Sequence, residues 1–285
     1  MIQSTVSTRH GGRAELAELG QRTLIMGVLN VTPDSFSDGG RFFDVEKAVE
    51  HVRDMIVSGA DIIDIGAEST RPGYTPVAED EEWRRLAPVL RRLRAEFSCP
   101  LSVDTYKPRI ARLALDLGVD VINDVWGGAR DSAMWETVAK GGAHYVLMHN
   151  CADRLDWPKL DGVAERVRDE LLELARRAVA AGVPSEAIIL DPGIGFGKTQ
   201  RQNLELINRM DVYAGTGYAT LIGTSRKSVI GHVLNVPVKD RVEGTAATVA
   251  VAIARGVNIV RVHDVAEMAR ICRMTDAVVR ATADR

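Results

Sequence analysis

Short apolar runs alternate along the chain with helix-length segments whose apolar residues recur at helical spacing. Eight of these runs end at a polar or charged residue, and the alternation is typical of a parallel α/β protein. Strands that are buried on both faces read as continuous apolar runs, so each polar residue marks the point where the chain leaves the core. The runs are 24–29 before Asn30, 62–63 before Asp64, 101–103 before Asp104, 121–122 before Asn123 and Asp124, 145–148 before His149, 188–190 before Asp191, 221–224 before Ser225, and 259–260 before Arg261 and His263.

The segments between the runs carry helix signals. Apolar residues at 45, 48, 49, 52, 55 and 56 form one stripe, which predicts a helix with Asp44 as its N-cap and Gly59 as its stop. Gly118, Gly142 and Gly256 also stand shortly before apolar runs. Glycine supplies the left-handed conformation that ends a helix, so each predicts a short connection from a helix to a strand.

This pattern predicts an α/β fold, a single (β/α)8 TIM barrel with its active site at the C-terminal ends of the strands. The competing fold is an open doubly wound sheet, which would place its ligand at one switch point. Polar residues at the ends of all eight runs favour closure into a barrel.

Length and composition agree with one such domain. The chain has 285 residues, of which 46% are hydrophobic. We expect a peripheral N-terminal lead-in at 1–20 and the barrel at 21–285. A net charge of -3 and the lack of a basic stripe argue against nucleic-acid binding.

The sequence also indicates a compartment. Cys99, Cys151 and Cys272 lie far apart, which predicts neither a disulfide framework nor a thiolate zinc site. No run approaches the roughly 18 apolar residues of a membrane span, and 1–20 contains no apolar core of a signal peptide. We therefore expect a cytoplasmic protein without membrane contact.

Three loops carry candidate chemistry. Loops 31–40 and 68–74 are rich in turn formers and charge, so they are either functional lids or solvated connectors. The glycine-rich segment 191–199 is neither a P-loop, because Pro192 stands where the first glycine is needed, nor a dinucleotide fingerprint, because Lys198 replaces its last glycine. It remains a loop that can bring backbone close to a flat ligand, or simply a tight turn.

Together these motifs resemble the dihydropteroate synthases, folate-pathway enzymes of the pterin-binding TIM-barrel family, from about residue 24 to 281. The matching pieces occur in order at seven strand ends: 30–40, 68–73, 102–105, 122–124, 191–199, 225–228 and 261–264. The resemblance implies a transferase in which p-aminobenzoate displaces pyrophosphate from 6-hydroxymethyl-7,8-dihydropterin pyrophosphate to give 7,8-dihydropteroate.

The residues fit the two ends of that substrate. A pterin presents an aminopyrimidine edge rich in N–H donors, and Asp104, Asn123 and Asp191 are acceptors for it. The resemblance implies that Arg261 and His263 bind the departing pyrophosphate.

It further implies Mg²⁺ as cofactor, held by pyrophosphate oxygens and by Asn30. Arg71 adds positive charge at this end. Considered singly, Asp104 or Asp191 could instead cap a helix or form an internal ion pair, and any arginine could be only a solvated surface charge.

The resemblance also assigns the amine side. Lys227 contacts the pterin near the p-aminobenzoate, Thr70 and Ser228 line the p-aminobenzoate subsite, and Phe196 is a further substrate-binding residue. Asp38 holds the attacking amine, so that Asp38, Arg71 and Lys227 are the catalytic residues.

The expected mechanism is ionisation to a resonance-stabilised pterin cation, with no protein nucleophile. Binding is expected to be ordered, pterin substrate first, as loops 31–40 and 68–74 close. The resemblance also implies a homodimer and a target of sulfonamides.

Three alternatives stay open. A pterin-binding methyltransferase that passes a methyl group to a corrinoid shares the barrel, but the motifs at 30–40 and 225–228 argue against it. A non-catalytic paralogue would be expected to lose the pyrophosphate residues, which are present. An unrelated phosphate-binding isomerase would need a base matched to a sugar phosphate.

Overall fold

The strands close into a barrel. The computed structural model describes residues 16–31, 40–68, 75–154, 157 and 162–280. Eight parallel strands pair in chain order, and the last pairs with the first, so the predicted barrel is confirmed and an open sheet is excluded. The strands are β1 Leu24–Asn30, β2 Ile62–Gly66, β3 Leu101–Asp104, β4 Val121–Asp124, β5 His144–Met148, β6 Ile188–Asp191, β7 Ala219–Ile222 and β8 Ile259–Val262.

Helices follow the strands and cover the barrel. They are α1 Gly40–Ser58, α2 Glu79–Glu96, α3 Pro108–Asp116, α4 Ala133–Gly141, α5 Val163–Ala180, α6 Gln200–Asn208, α7 Asp211–Ala214, α8 Ser228–Leu234, α9 Val242–Ala254 and α10 Val265–Arg280. Among the described helices, none combines the length and the apolar character needed to cross a membrane.

One helix boundary differs from the prediction. Helix α1 begins at Gly40, so Asp44 lies within the helix and its assignment as N-cap is wrong. The sequence pattern favoured a later start because glycine is a poor helix former, whereas aspartate is one of the residues preferred as an N-cap.

The strands divide the core into two clusters because successive side chains point to opposite faces. Ile25, Ile63 and Val103 face outward and join the cluster under the helices. The alternate residues face inward and fill the lower part of the barrel: Leu24, Met26, Ile62, Val121, Val146, Ile189, Leu221 and Ile259.

A short 3-10 turn, Leu16–Glu18, lies at the bottom of the barrel. Leu16 is buried and belongs to the inner cluster. Leu16 therefore packs into the barrel, and residues 1–15 of the predicted lead-in fall outside the described part of the chain.

The same two-residue period places polar side chains above the inner cluster. Asp64 comes two residues after Ile62, Asn123 after Val121, Asp191 after Ile189, and Arg261 after Ile259. These side chains lie at the carboxyl ends of the strands, the end at which such barrels keep their active sites.

Candidate active site

A single guanidinium joins two carboxylates across the mouth of the barrel. Arg261 donates from Nε to Asp64 Oδ2 at 2.6 Å and from Nη2 to Asp104 Oδ2 at 2.9 Å. Asn123 Nδ2 donates to Asp64 Oδ2 at 3.1 Å, and the Ser102 hydroxyl donates to Asp64 Oδ1. Four strands therefore contribute to one hydrogen-bonded network.

Asp64 was not among the predicted site residues. It is completely buried inside β2, and its two oxygens accept from Arg261, Asn123 and Ser102. The sequence did carry a signal for it: Asp64 is a charged residue in an otherwise apolar strand that is buried on both faces. Burying a charge is costly unless the charge is paired, so a partner was to be expected.

Asp104 differs from Asp64 in having an acceptor to spare. Its Oδ1 is buried and makes no hydrogen bond with any residue of the described ranges. Burial raises the pKa of Asp104 to about 7, although the charge of Arg261 acts in the opposite direction. A ligand N–H donor would satisfy this oxygen.

Asp191 and Lys227 form the opposite side of the mouth. Asp191 Oδ1 accepts from the Gly193 amide at 2.7 Å, and burial raises the pKa of Asp191 against the opposing charge of Lys227. The Lys227 ammonium donates to the Ile194 carbonyl and lies 4.9 Å from the centre of the Phe196 ring. Burial lowers the pKa of Lys227 to about 8.

His263 lies just after β8, and Ser228 lies at the start of α8, after β7. The His263 amide donates to Ser225 Oγ at 3.1 Å, and its ring Nδ1 lies 3.0 Å from the same oxygen. Ser228 is the exposed first residue of α8. Ser225 therefore orients the imidazole. The sequence placed Ser225 at a strand end and in the motif 225–228 but did not predict this role.

A buried ionic cluster lies beside β2. The Lys107 ammonium bonds to the carboxylates of Glu68 and Glu82 and donates to the Val77 carbonyl at 2.6 Å. Thr105 Oγ1 donates to Glu82 at 2.8 Å. Glu68 and Val77 flank the segment 69–74, so this cluster fixes the chain on both sides of it.

The predicted residues thus fall into two groups. The residues that meet at the mouth are Asp104, Asn123, Asp191, Phe196, Lys227 and Arg261. His263 lies in the loop after β8, Ser228 begins α8, and Asn30 ends β1. Asp38, Thr70 and Arg71 lie outside the described residues, as do most of the two predicted lid loops.

Asn30 is the candidate metal ligand. Its side chain is exposed at the carboxyl end of β1. Within the described ranges no group of three His, Cys, Asp or Glu side chains could hold a metal ion. Mg²⁺ commonly keeps several waters and is held by one or two protein groups together with substrate phosphates, so a single amide oxygen fits that mode.

Comparisons with known proteins agree with this geometry. A model of the pterin-binding enzyme family matches residues 26–263. The dihydropteroate synthase of Clostridium beijerinckii is 49% identical over 92% of this chain and 96% of its own length.

Two solved structures are also similar. A dihydropteroate synthase from Clostridium difficile, crystallised in the presence of pteroic acid, has a TM-score of 0.87 and 49% identity, and the match covers 92% of this chain and 99% of that one. The Xanthomonas albilineans dihydropteroate synthase with 4-aminobenzoic acid has a TM-score of 0.85 and 41% identity, with 91% and 94% covered.

Proposed function

This chain belongs to the pterin-binding enzymes and, among them, to the dihydropteroate synthases, and on that premise we propose how its residues carry out the reaction of that family. It is a transferase of folate biosynthesis. The substrates are 6-hydroxymethyl-7,8-dihydropterin pyrophosphate and p-aminobenzoate, and the products are 7,8-dihydropteroate and pyrophosphate.

The observation that carries the proposal is the buried Oδ1 of Asp104, which has no hydrogen-bond partner among the described residues. A pterin offers several N–H donors along one edge, and Asp104, Asn123 and Asp191 offer side-chain oxygens around one cavity mouth. Arg261 holds Asp104 in place through the other carboxylate oxygen. An acceptor prepared in this way binds a donor edge with little reorganisation.

The pyrophosphate lies at the outer side of the mouth, with His263 and Arg261. Asp64 and Asp104 accept from Nε and Nη2 of Arg261, so its phosphate contact uses the N–H donors that remain on Nη1 and Nη2. Arg71 adds a second positive charge. Asn30 would help to hold Mg²⁺ at this end of the site, and the ion would neutralise phosphate charge when bound.

The reaction proceeds by ionisation. The C–O bond to pyrophosphate breaks, its electron pair leaves with the phosphate oxygen, and a resonance-stabilised pterin cation remains. The amine of p-aminobenzoate, held by Asp38, forms the new C–N bond and loses a proton. Lys227, Thr70 and Ser228 position the two rings, so catalysis is positioning and electrostatic preorganisation.

Pyrophosphate release tests the proposal. The purified protein is mixed with the pterin pyrophosphate, p-aminobenzoate and Mg²⁺, and pyrophosphate and dihydropteroate are measured together. We expect both in equal amounts and only when all three are present. Pterin binding without release would indicate a non-catalytic paralogue, and methyl transfer from methyltetrahydrofolate to a corrinoid would indicate the methyltransferase alternative.

Two further features belong to the proposal. We propose a homodimer formed through α6, α8 and α9, which pack on one another and leave Leu204, Val233, Leu234 and Val251 exposed. We propose a cytoplasmic enzyme, in keeping with the three buried free cysteines.

A further inference from the structure

Lys198 is a buried cation that the chemistry above does not use. Only 9% of the residue is exposed. Its ammonium donates to the backbone carbonyls of His149 at 3.0 Å, Gly193 at 3.0 Å and Phe196 at 3.3 Å. An ammonium has three N–H donors, so each has a partner.

These carbonyls belong to two different loops. His149 follows β5, whereas Gly193 and Phe196 lie in the loop after β6. The backbones of the two loops are in direct contact, because a Cβ added at Gly193 would lie 2.0 Å from the His149 carbonyl oxygen and one at Gly197 would lie 2.4 Å from the Cys151 carbonyl carbon. Lys198 therefore fastens one loop to the other.

The fastened loop carries the groups that face the pterin. Ile194, between two residues bonded to Lys198, gives its carbonyl to the Lys227 ammonium, and the Phe196 ring lies beneath that ammonium. The Gly193 amide bonds to Asp191. Movement of this loop would displace three substrate contacts at once.

Lys198 also acts through its charge. Burial raises the pKa of Asp191, and the charge of Lys198 is among those that oppose this rise; burial lowers the pKa of Lys227, and the charge of Lys198 adds to that lowering. In the described residues its ammonium is hydrogen-bonded to carbonyls only, so no carboxylate in direct contact neutralises that charge.

We propose that Lys198 is a positioning residue for pterin binding: its ammonium fastens the loop after β6 to the loop after β5 and thereby sets Lys227 and Phe196 against the ring. The inference rests on the proposed function and adds a residue to it.

The test compares Lys198→Met with Lys140→Met, an exposed lysine on α4. Pterin affinity is measured by calorimetry, turnover by pyrophosphate release, and the titration of Lys227 by NMR of labelled lysine. For Lys198→Met we expect about tenfold weaker pterin binding and a fall in kcat of about 100-fold, since small misplacements at a reacting centre have effects of that size. The Lys227 pKa should rise, while Lys140→Met should behave as wild type.

Lys198→Gln provides a second variant, because its amide keeps two N–H donors but no charge. It should bind pterin with intermediate affinity, and it replaces Lys198→Met in every measurement if the latter does not fold.

Other outcomes separate the two proposals. A folded variant with reduced Tm but wild-type pterin affinity and an unchanged Lys227 titration would overturn the positioning role. A wild-type protein that binds pterin but releases no pyrophosphate would refute the proposed reaction alone, since binding and titration still test Lys198. A wild-type protein that binds no pterin would refute both.

Discussion

Asp64 and Asp104 share one guanidinium but are satisfied to different degrees. Among the residues that the structure describes, Asp64 accepts hydrogen bonds on both oxygens, whereas Asp104 accepts on one and keeps a buried oxygen without a partner. A carboxylate whose oxygens are both hydrogen-bonded holds its neighbours in place. A carboxylate with a buried oxygen that lacks a donor can accept a hydrogen bond from a ligand. Asp64 therefore supports the site, and Asp104 contacts the substrate.

Asp104→Asn should weaken pterin binding. The substitution keeps the shape but presents N–H donors where the ligand also has donors. Loss of a charge-assisted hydrogen bond costs about 1.5–3 kcal/mol, which corresponds to roughly a 10- to 100-fold change in Kd. Calorimetry with free pterin measures it, and an unchanged affinity would remove Asp104 from the site.

Lys227 should impose an alkaline limit on activity. With a pKa of about 8 its ammonium is mostly charged at pH 7 and mostly neutral at pH 9, so kcat/KM should fall through this range. In this pH range the unfolded chain, whose lysine has an ordinary pKa, binds more protons than the folded protein. Lys227 therefore makes the fold more stable as pH rises, so unfolding does not cause the fall in kcat/KM. Lys227→Arg should move the alkaline fall in kcat/KM to higher pH. If the fall stays at the same pH in this variant, a group other than Lys227 causes it.

The sequence predicted those site residues that directly follow an apolar run, because the run marks the end of a strand. Polar residues that follow apolar runs identified Asp104, Asn123, Asp191 and Arg261, and the structure brings them together. Sequence could not tell which of these side chains pair with one another, because Arg261 reaches Asp64 and Asp104 only after the barrel closes. The roles of Asp38, Thr70 and Arg71 remain predictions, since those residues lie outside the described ranges.

At the scale of elements, the glycine-rich loop after β6 is shaped by contact with its neighbour. Gly193, Gly195 and Gly197 all have positive φ, and two of them touch the loop after β5. The sequence left two interpretations open for this segment, a loop whose backbone approaches a flat ligand or a tight turn, and it did not predict the contact with the neighbouring loop.

Gly197→Ala should therefore be far more damaging than Gly142→Ala. Both glycines have positive φ, so alanine costs roughly 1–2 kcal/mol at either position. At Gly142 nothing lies within 4 Å of the added methyl, whereas at Gly197 it would meet the backbone of Cys151 and Ala152. Thermal unfolding and pterin affinity should show the difference, and equal losses in the two variants would contradict the loop contact.

Lys107→Met should destabilise the fold strongly. It leaves the carboxylates of Glu68 and Glu82 buried without their cation, and removal of one partner from a buried ion pair costs about 3–5 kcal/mol. Arg109→Ala removes an exposed pair with Asp80 and should cost at most about 1 kcal/mol. Urea unfolding measures both, and a loss below 1 kcal/mol for Lys107→Met would show that the cluster adds little.

At the scale of the whole molecule, exposed apolar side chains on α8 and α9 are the expected subunit interface. Val233→Asp should convert a dimer to a monomer in light scattering, because the charge would be buried without a partner. Val57→Asp places the same charge on α1, where the valine is 83% exposed, and should leave the dimer intact. A wild-type monomer at working concentration would end the proposal.

The pairing of Arg261 with Asp64 and Asp104 has a consequence for how the chain is made. The arginine comes 197 residues after one carboxylate and 157 after the other, on the strand that closes the barrel against β1. A growing polypeptide that has emerged only as far as β7 would have to bury two repelling carboxylates with no counter-charge, which is strongly unfavourable. The neutralising cation arrives only with β8, so we expect a chain that ends before β8 to leave these two carboxylates in contact with water instead of closing the barrel.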